Sequence, residues 1–170
     1  MSCIHIQYFE SPVGELMMGS YGDRLCLCDW RYRRRRDAVD ARLTRRLGAE
    51  YVERNDDILE TTRRQLTEYL EQRRRTFEIP LLLVGTPFQK RVWQQLLDIP
   101  FGETKSYLAL ARAIGDPKAV RAVAGANGAN AISIIVPCHR VIGSNGQLVG
   151  YAGGIEAKAQ LLGIEFELTG

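Results

Sequence analysis

The residues best suited to chemistry in this chain are Pro137-Cys138-His139-Arg140. A thiol attacks only as a thiolate, and an adjacent imidazole with an arginine nearby is an environment that depresses a thiol pKa. The tetrapeptide follows Ile134-Ile135-Val136, an apolar run that predicts a buried strand stopping at the proline. Cys138 and His139 are therefore expected where regular backbone gives way to a loop. A Cys-His pair alone says little, because buried cysteines are commonly inert. Its surroundings carry more: Gly143-Ser144-Asn145-Gly146 predicts a hairpin turn, and Gly150-Tyr151-Ala152-Gly153-Gly154 offers backbone donors and one aromatic ring.

The elements that must position these groups fall into two stretches. Residues 3–9, 15–20 and 24–30 are short apolar or alternating runs separated by Ser11-Pro12-Val13-Gly14 and Tyr21-Gly22-Asp23, which predicts an antiparallel three-stranded meander. Helical patterns follow around Asp37 to Leu47 and Ile58 to Arg73, with Ile58, Leu59, Leu66, Tyr69 and Leu70 on one face. An αβ domain is expected over residues 1–85, and a mainly helical one over 86–170. Thr86-Pro87 opens a helix with Val92, Trp93, Leu96 and Leu97 inward, and Ile99-Pro100-Phe101-Gly102 ends it. Ser106 caps a second helix to Ile114, and Asp116-Pro117 starts a third, reaching about Gly128. So tight a turn between two helices predicts helix-turn-helix. A last helix is expected over Ile155 to Leu162, ending beside Glu165.

Charge narrows the partner. The net charge of +3 is modest, and residues 1–85 carry 15 basic against 14 acidic side chains. Residues 105–140, however, hold Lys105, Arg112, Lys118, Arg121 and Arg140 against Asp116 alone. The third helix presents Ala119, Ala122, Ala124, Gly125 and Ala126, nearly bare backbone that a duplex could approach. Tight packing against neighbouring helices would use the same residues, but Arg121 has no acidic partner three or four places away, which favours DNA. The run Arg31 and Arg33 to Arg36 is followed by Asp37 and Asp40 and reads as a solvated helix start. No apolar run approaches the roughly 20 residues of a membrane span, and the start lacks a signal peptide's pattern. A cytoplasmic protein is expected, its four cysteines reduced.

Pro137-Cys138-His139-Arg140-Val141-Ile142-Gly143 resembles the active-site signature of the O6-alkylguanine-DNA alkyltransferases, the methylated-DNA–protein-cysteine S-methyltransferases. Phe88 to Trp93, Ile99 to Glu103, Ser106-Tyr107, Arg121 to Val123, Asn127 to Asn130 and Tyr151 to Gly154 match in order, so the resemblance spans residues 86–165. It implies an α+β fold: a ribonuclease-H-like αβ domain, then a winged-helix-like domain holding the helix-turn-helix. It also implies repair of double-stranded DNA by irreversible transfer of an alkyl group, chiefly methyl, from O6-alkylguanine, and with it O4-methylthymine, to Cys138 in one turnover. Cys138 would ionise through His139, a water and Glu165, with Asn130 fixing the preceding turn. Arg121 would fill the space left by the extruded base and Tyr107 would rotate the neighbouring phosphate and hydrogen-bond the guanine. Ser106, Ala119, Ala122 and Gly125 would meet the DNA, and Val141, Tyr151, Ala152 and Gly153 would line the base pocket. No cofactor is implied. A monomer is expected, with cooperative loading on DNA an open alternative.

Two positions depart from the family's pattern. Ala131 stands where proline is usual, and Ala152 where some members carry serine, which leaves the tolerated adduct size open. Too few residues precede the catalytic stretch for the zinc-bearing phosphotriester-repair domain of the adaptive-response regulators, so the compact constitutive form is expected. Cys3, His5, Cys26 and Cys28 alternate on two strands and could converge on zinc, but their spacing is no standard finger, and no metal site is assigned. Two rivals remain. A non-catalytic alkylated-DNA sensor lacks the nucleophilic cysteine that this chain keeps, and a cysteine hydrolase would leave Arg121 and Tyr107 without a task.

Overall fold

The meander forms because its three runs meet at short turns whose geometry the sequence supplies. β1 (Cys3–Ser11), β2 (Gly14–Tyr21) and β3 (Arg24–Trp30) pair antiparallel, with Ser11 opposite Gly14. The coordinates are those of a computed structural model and describe residues 2–143, 145, 146, 148 and 150–169, the side chains of 167–169 apart. The hairpin expected over Gly143 to Gly146 includes Ser144, which lies outside the described residues. A fourth strand, β4 (Glu50–Glu53), follows α1 (Arg36–Leu47) and pairs parallel with β1, giving the sheet order β3-β2-β1-β4. α2 (Asp57–Leu70) is capped by Asp56, whose carboxylate accepts from the Leu59 N–H at 2.9 Å, and it buries Leu59, Leu66 and Tyr69.

α3 (Pro87–Leu97) starts as predicted. Thr86 Oγ1 accepts from the Gln89 N–H at 3.1 Å while Gln89 Oε1 accepts from the Thr86 N–H at 3.0 Å, a reciprocal capping box with proline in the first turn. α4 (Tyr107–Ala113) is capped by Ser106 Oγ at 3.0 Å from the Ala109 N–H. α5 (Val120–Gly128) begins later than the sequence predicts and has no side-chain cap. Asp116 Oδ1 instead accepts from the Lys118 N–H and its carbonyl from the Ala119 N–H, so residues 116–119 form a turn between the two helices. α4 and α5 are the expected helix-turn-helix pair, and the fold is α+β.

Leu97, expected inward on α3, is exposed, and three further expectations fail. Ile134 to Val136 is buried but is no strand: only Ile132 bridges to Cys28 of β3, after which the chain turns, with Ile134 at φ +72°. A buried apolar run fits a packed turn as well as a strand, and periodicity cannot separate them. A single 3-10 turn over Cys138–Arg140 then leads to β6 (Val141–Ile142), which pairs parallel with β5 (Lys105–Ser106). α6 runs over Ile155–Thr169, through Gly163, so Glu165 lies within the helix rather than after it. The arginine run is a solvated helix start only in part, with Arg34 and Arg35, the residue before α1, exposed. Arg33 and Arg36 pair with buried Asp29 at 2.9 and 3.1 Å, and Arg33 and Arg42 donate to the carbonyls of Gly128 and Ala129 at the end of α5.

Those contacts belong to a core that both sequence halves share. Leu16, Leu25, Trp30, Leu66 and Tyr69 pack in one cluster with Val92, Trp93, Leu96, Val136 and Leu161. Each fully buried aliphatic or aromatic side chain contributes roughly 1.5–3 kcal/mol. A second cluster around Ile4, Leu27, Val39 and Leu43 seals the other face of the sheet. Cys26 sits in that second cluster and Cys28 in the first, while His5 Nδ1 bonds Asp56 Oδ2 at 2.9 Å, so the four residues weighed as zinc ligands do not converge. Among the described residues no group of three or more His, Cys, Asp or Glu side chains could hold a metal ion.

Candidate active site

Cys138 opens the 3-10 turn and is 2% exposed. The backbone reaches it through a tightly bound bend. Asn130 Nδ2 donates to the Val136 carbonyl at 2.9 Å and its Oδ1 accepts from the Ile132 N–H at 3.0 Å, which fixes the turn from both sides. The Ser133 N–H donates to the Cys28 carbonyl and the Cys28 N–H to the Ala131 carbonyl, tying the same bend to β3. Ile134 is held at positive φ, a costly conformation for a β-branched residue, between these two sets of bonds.

His139 follows with no exposed surface, and its Nε2 meets Glu165 Oε2 at 2.7 Å. Glu165 is fully buried and gathers donors from four places. Tyr69 Oη on α2 donates at 2.6 Å, Arg140 Nε at 2.8 Å and Nη2 at 3.1 Å, and the Gly102 N–H at 3.2 Å. Gly102 takes φ +83°, a backbone that favours glycine, and this turns its amide toward the carboxylate. Burial would raise the Glu165 carboxyl, but the hydrogen bonds and charges of His139 and Arg140 outweigh it and draw it down to about 2. Burial lowers His139 despite the carboxylate beside it. The resting pair is thus a carboxylate and a neutral imidazole that gives its Nε2 proton to Glu165. His139 Nδ1 is buried without a hydrogen-bond partner among the described residues, a lone pair available as a base.

Cys138 itself departs from the sequence expectation. Burial raises the thiol above its ordinary value, and the field of Asp29 adds to this. The polar side chains of Asn130 and Ser133 and the charge of Lys158 oppose the shift. Arg140 cannot serve the sulfur because its guanidinium is spent on Glu165 and on the Ile99 carbonyl at 2.7 Å. Cys138 therefore rests as a thiol, and its proton must leave as the reaction proceeds.

The thiol lies in the wall of a cavity of about 870 Å³. Tyr107, Asn127, Tyr151 and Ala152 line it near the sulfur, with Gly125 and Gly128 of α5 and the arginines 33–35 and 42 around it. Tyr107 shares a side-chain hydrogen bond with Asn127, and burial raises its phenol, so it stays a proton donor. Tyr151 packs edge-on against Trp30 with centroids 5.1 Å apart. Gly153 is there because a Cβ would come within 2.3 Å of Trp30. At Gly125 and Gly128 a Cβ would meet nothing within 4 Å, so internal packing does not explain these glycines. The bare face of α5 is turned outward.

A profile of the 6-O-methylguanine DNA methyltransferase DNA-binding domain matches residues 87–166, and one of that family's ribonuclease-like domain matches residues 4–83. The constitutive methylated-DNA–protein-cysteine methyltransferase of Bacillus subtilis is 46% identical over 157 residues, covering 92% of each chain. The chain belongs to the 6-O-methylguanine DNA methyltransferase family. The Mycobacterium leprae methylated-DNA–protein-cysteine methyltransferase is 42% identical over 165 residues, covering 95% of this chain and 92% of its own. A crystal structure of the Mycobacterium tuberculosis relative in complex with DNA superposes with a TM-score of 0.82 at 40% identity, covering 96% of this chain and 94% of that one.

Within this methyltransferase-family fold, the residues singled out from the sequence separate into four groups. Tyr107, Gly125, Asn130, Cys138, Tyr151, Ala152 and Gly153 line the one cavity. His139 and Glu165 stand behind Cys138, in direct contact, so the expected relay has no room for a water between imidazole and carboxylate. Arg121, Ala122 and Ala119 lie along α5 and its start, outside the cavity lining, with Arg121 and Ala122 exposed. Ser106 is the α4 cap, and Val141 is buried in β6 rather than in the cavity wall. Sequence reasoning missed Tyr69, Asn127, Ser133, Asp29 and Lys158. Lys158 is fully buried on α6 and donates to the Val141 carbonyl. Asn127 was within a matched segment, but nothing local in the sequence marks the other four.

Proposed function

We propose that this chain repairs alkylated DNA by moving the alkyl group, chiefly methyl, from O6 of an extruded guanine onto Cys138 Sγ, once per molecule. The observation that carries this is a thiol in the wall of a cavity of about 870 Å³, roomy enough for an extruded base, on a segment whose next residue is a neutral imidazole with Nε2 locked on Glu165. His139 Nδ1 takes the thiol proton, and Glu165 stabilises the imidazolium that results. The thiolate attacks the alkyl carbon, the carbon–O6 bond breaks, and its electron pair goes to the guanine. Tyr107, a neutral phenol, donates a hydrogen bond to the leaving base. The product is a thioether with no leaving group for water to displace, so the thiol is not regenerated.

Arg121 occupies the space vacated by the base, and the bare face of α5, from Ala119 through Ala122 and Gly125, lies against the duplex. Asn130 holds the bend that aims Cys138, and Tyr151, Ala152 and Gly153 contact the base. Val141 acts behind the pocket, through the carbonyl that Lys158 binds. Residues 1–85 act as scaffold and 86–170 carry the DNA-binding and transfer machinery, without a cofactor. Among the described residues no helix is long and apolar enough to cross a membrane, and the reading places the protein with DNA in the cytoplasm.

The test is an O6-methylguanine oligonucleotide mixed with the protein and followed by peptide mass spectrometry. One methyl per chain on the peptide containing Cys138, and none with Cys138→Ala, is expected. Repeated turnover would exclude the mechanism, and an unmodified peptide despite DNA binding would replace it with a sensor.

A further inference from the structure

Cys138 is approached from a second side by a network that the transfer mechanism does not use. Asp29, at the end of β3, has no exposed surface. Its Oδ2 accepts from Arg33 at 2.9 Å and Arg36 at 3.1 Å, and its Oδ1 accepts from the Trp30 N–H at 3.0 Å and from Ser133 Oγ at 3.2 Å. Ser133 is likewise fully buried, and its side chain also neighbours the Cys138 sulfur. A serine hydroxyl has one proton to give. In the resting arrangement the hydroxyl donates to Asp29 Oδ1, and it can donate to the sulfur only by turning that one proton away. A thiolate would need the same proton turned toward it.

We propose that Ser133 is a shared donor for which Asp29 and the Cys138 sulfur compete, making Asp29 and Ser133 positioning residues that set the reactivity of the nucleophile from the β3 side. Two features support this. The Ser133–Asp29 bond is the longest of those four, while the others keep Asp29 satisfied when the hydroxyl rotates away. Only a hydrogen has to move, because Ser133 is anchored by its N–H on the Cys28 carbonyl. The charged and titratable groups acting on the sulfur are Asp29 from β3, Lys158 from α6, Tyr107 from α4 and Tyr151 from the glycine-rich segment, with His139 the next residue along the chain. Asp29 disfavours the thiolate and Lys158 favours it. Arg33 and Arg36 moderate Asp29, and through them the segment after β3 reaches the thiol.

The inference concerns the thiol itself and bears on repair only through the reading above, so its test uses iodoacetamide, which loses iodide to a thiolate without DNA. Alkylation of Cys138 is followed by peptide mass across pH 6 to 10 for the wild type, Asp29→Asn and Ser133→Ala, with thermal unfolding as a check on folding. Asp29→Asn removes the competing charge, and its profile is expected to move about one pH unit lower, with roughly tenfold faster labelling at pH 7. Ser133→Ala removes the donor, and its profile moves higher, with labelling slowed about threefold. Loosened packing would speed both variants together. An unchanged Ser133→Ala profile, or shifts of the same sign in both, would overturn the proposal; if Asp29→Asn does not fold, Ser133→Ala alone decides it. Opposite shifts in a protein that fails to demethylate the oligonucleotide would sink the repair reading and leave this network standing.

Discussion

Glu165 and Asp29 are both fully buried carboxylates, both paired with arginine, and each hydrogen-bonds one side chain of the segment around Cys138, Glu165 to His139 and Asp29 to Ser133. Their settings pull them apart. Glu165 takes a bidentate contact from Arg140, a hydrogen bond from His139 and another from Tyr69, and its carboxyl falls to about 2. For Asp29 burial outweighs Arg33 and Arg36, and its carboxyl is raised. The difference teaches that burial and an arginine do not decide what a carboxylate does beside a thiol. The intervening group differs: behind Glu165 is an imidazole whose Nδ1 lone pair is unused and which the proposed transfer takes as the base, and behind Asp29 is a serine with one proton to share.

Glu165→Gln attacks the comparison at its stronger end. It is expected to slow alkyl transfer on the order of a hundredfold and to cost about 3 kcal/mol of stability, since Arg140 is left buried without its carboxylate. Rapid-quench transfer assays and urea unfolding measure the two effects. Because the folded carboxyl lies near 2, below its ordinary 4.5, its contribution is complete above about pH 4.5 and is lost as pH falls toward 2. Unfolding midpoints of the glutamine variant should be flatter than wild type across that window, and equal slopes would mean that Glu165 is not held ionised.

Gly125→Leu touches neither carboxylate and probes the α5 face of the same cavity. Its Cβ would meet nothing within 4 Å, so the thermal midpoint should hold while affinity for duplex DNA drops about tenfold by fluorescence anisotropy, against a change of about 1 kcal/mol or less in stability. A shifted iodoacetamide profile in this variant would mean that α5 and the thiol are not independent. The smallest effect on function is expected from Gly153→Ala, which forces Trp30, the neighbour of Asp29, to move. Overpacking of this kind costs about 1–3 kcal/mol, read by thermal unfolding, and transfer should slow only a few-fold.

What the sequence disclosed follows the range of the interactions involved. The meander, the Thr86 capping box and the Ser106 cap rest on residues within a few places of one another, and local chemistry predicts them. Tyr69 meets Glu165 across 96 residues and Ser133 meets Asp29 across 104, and no spacing rule reaches that far. Arg33 and Arg36 read as solvated because Asp29, which buries them, is hidden in a strand of apolar neighbours. Ile134 misled for a related reason. Its type favours extended backbone, and only the bonds from Asn130 and β3 show why the chain turns there instead.

The convergence of α2, the Gly102 loop, the 3-10 turn and α6 on one carboxylate also bears on motion. Terminal helices ordinarily fray at little cost, independently of the core. Here the second half of α6 cannot peel away without taking Glu165 from His139, Arg140 and Tyr69 together. Opening of the last helix and disassembly of the base behind Cys138 are then one cooperative event. Amide exchange in α6 should therefore report, in the absence of DNA, how often a molecule is caught without its working site.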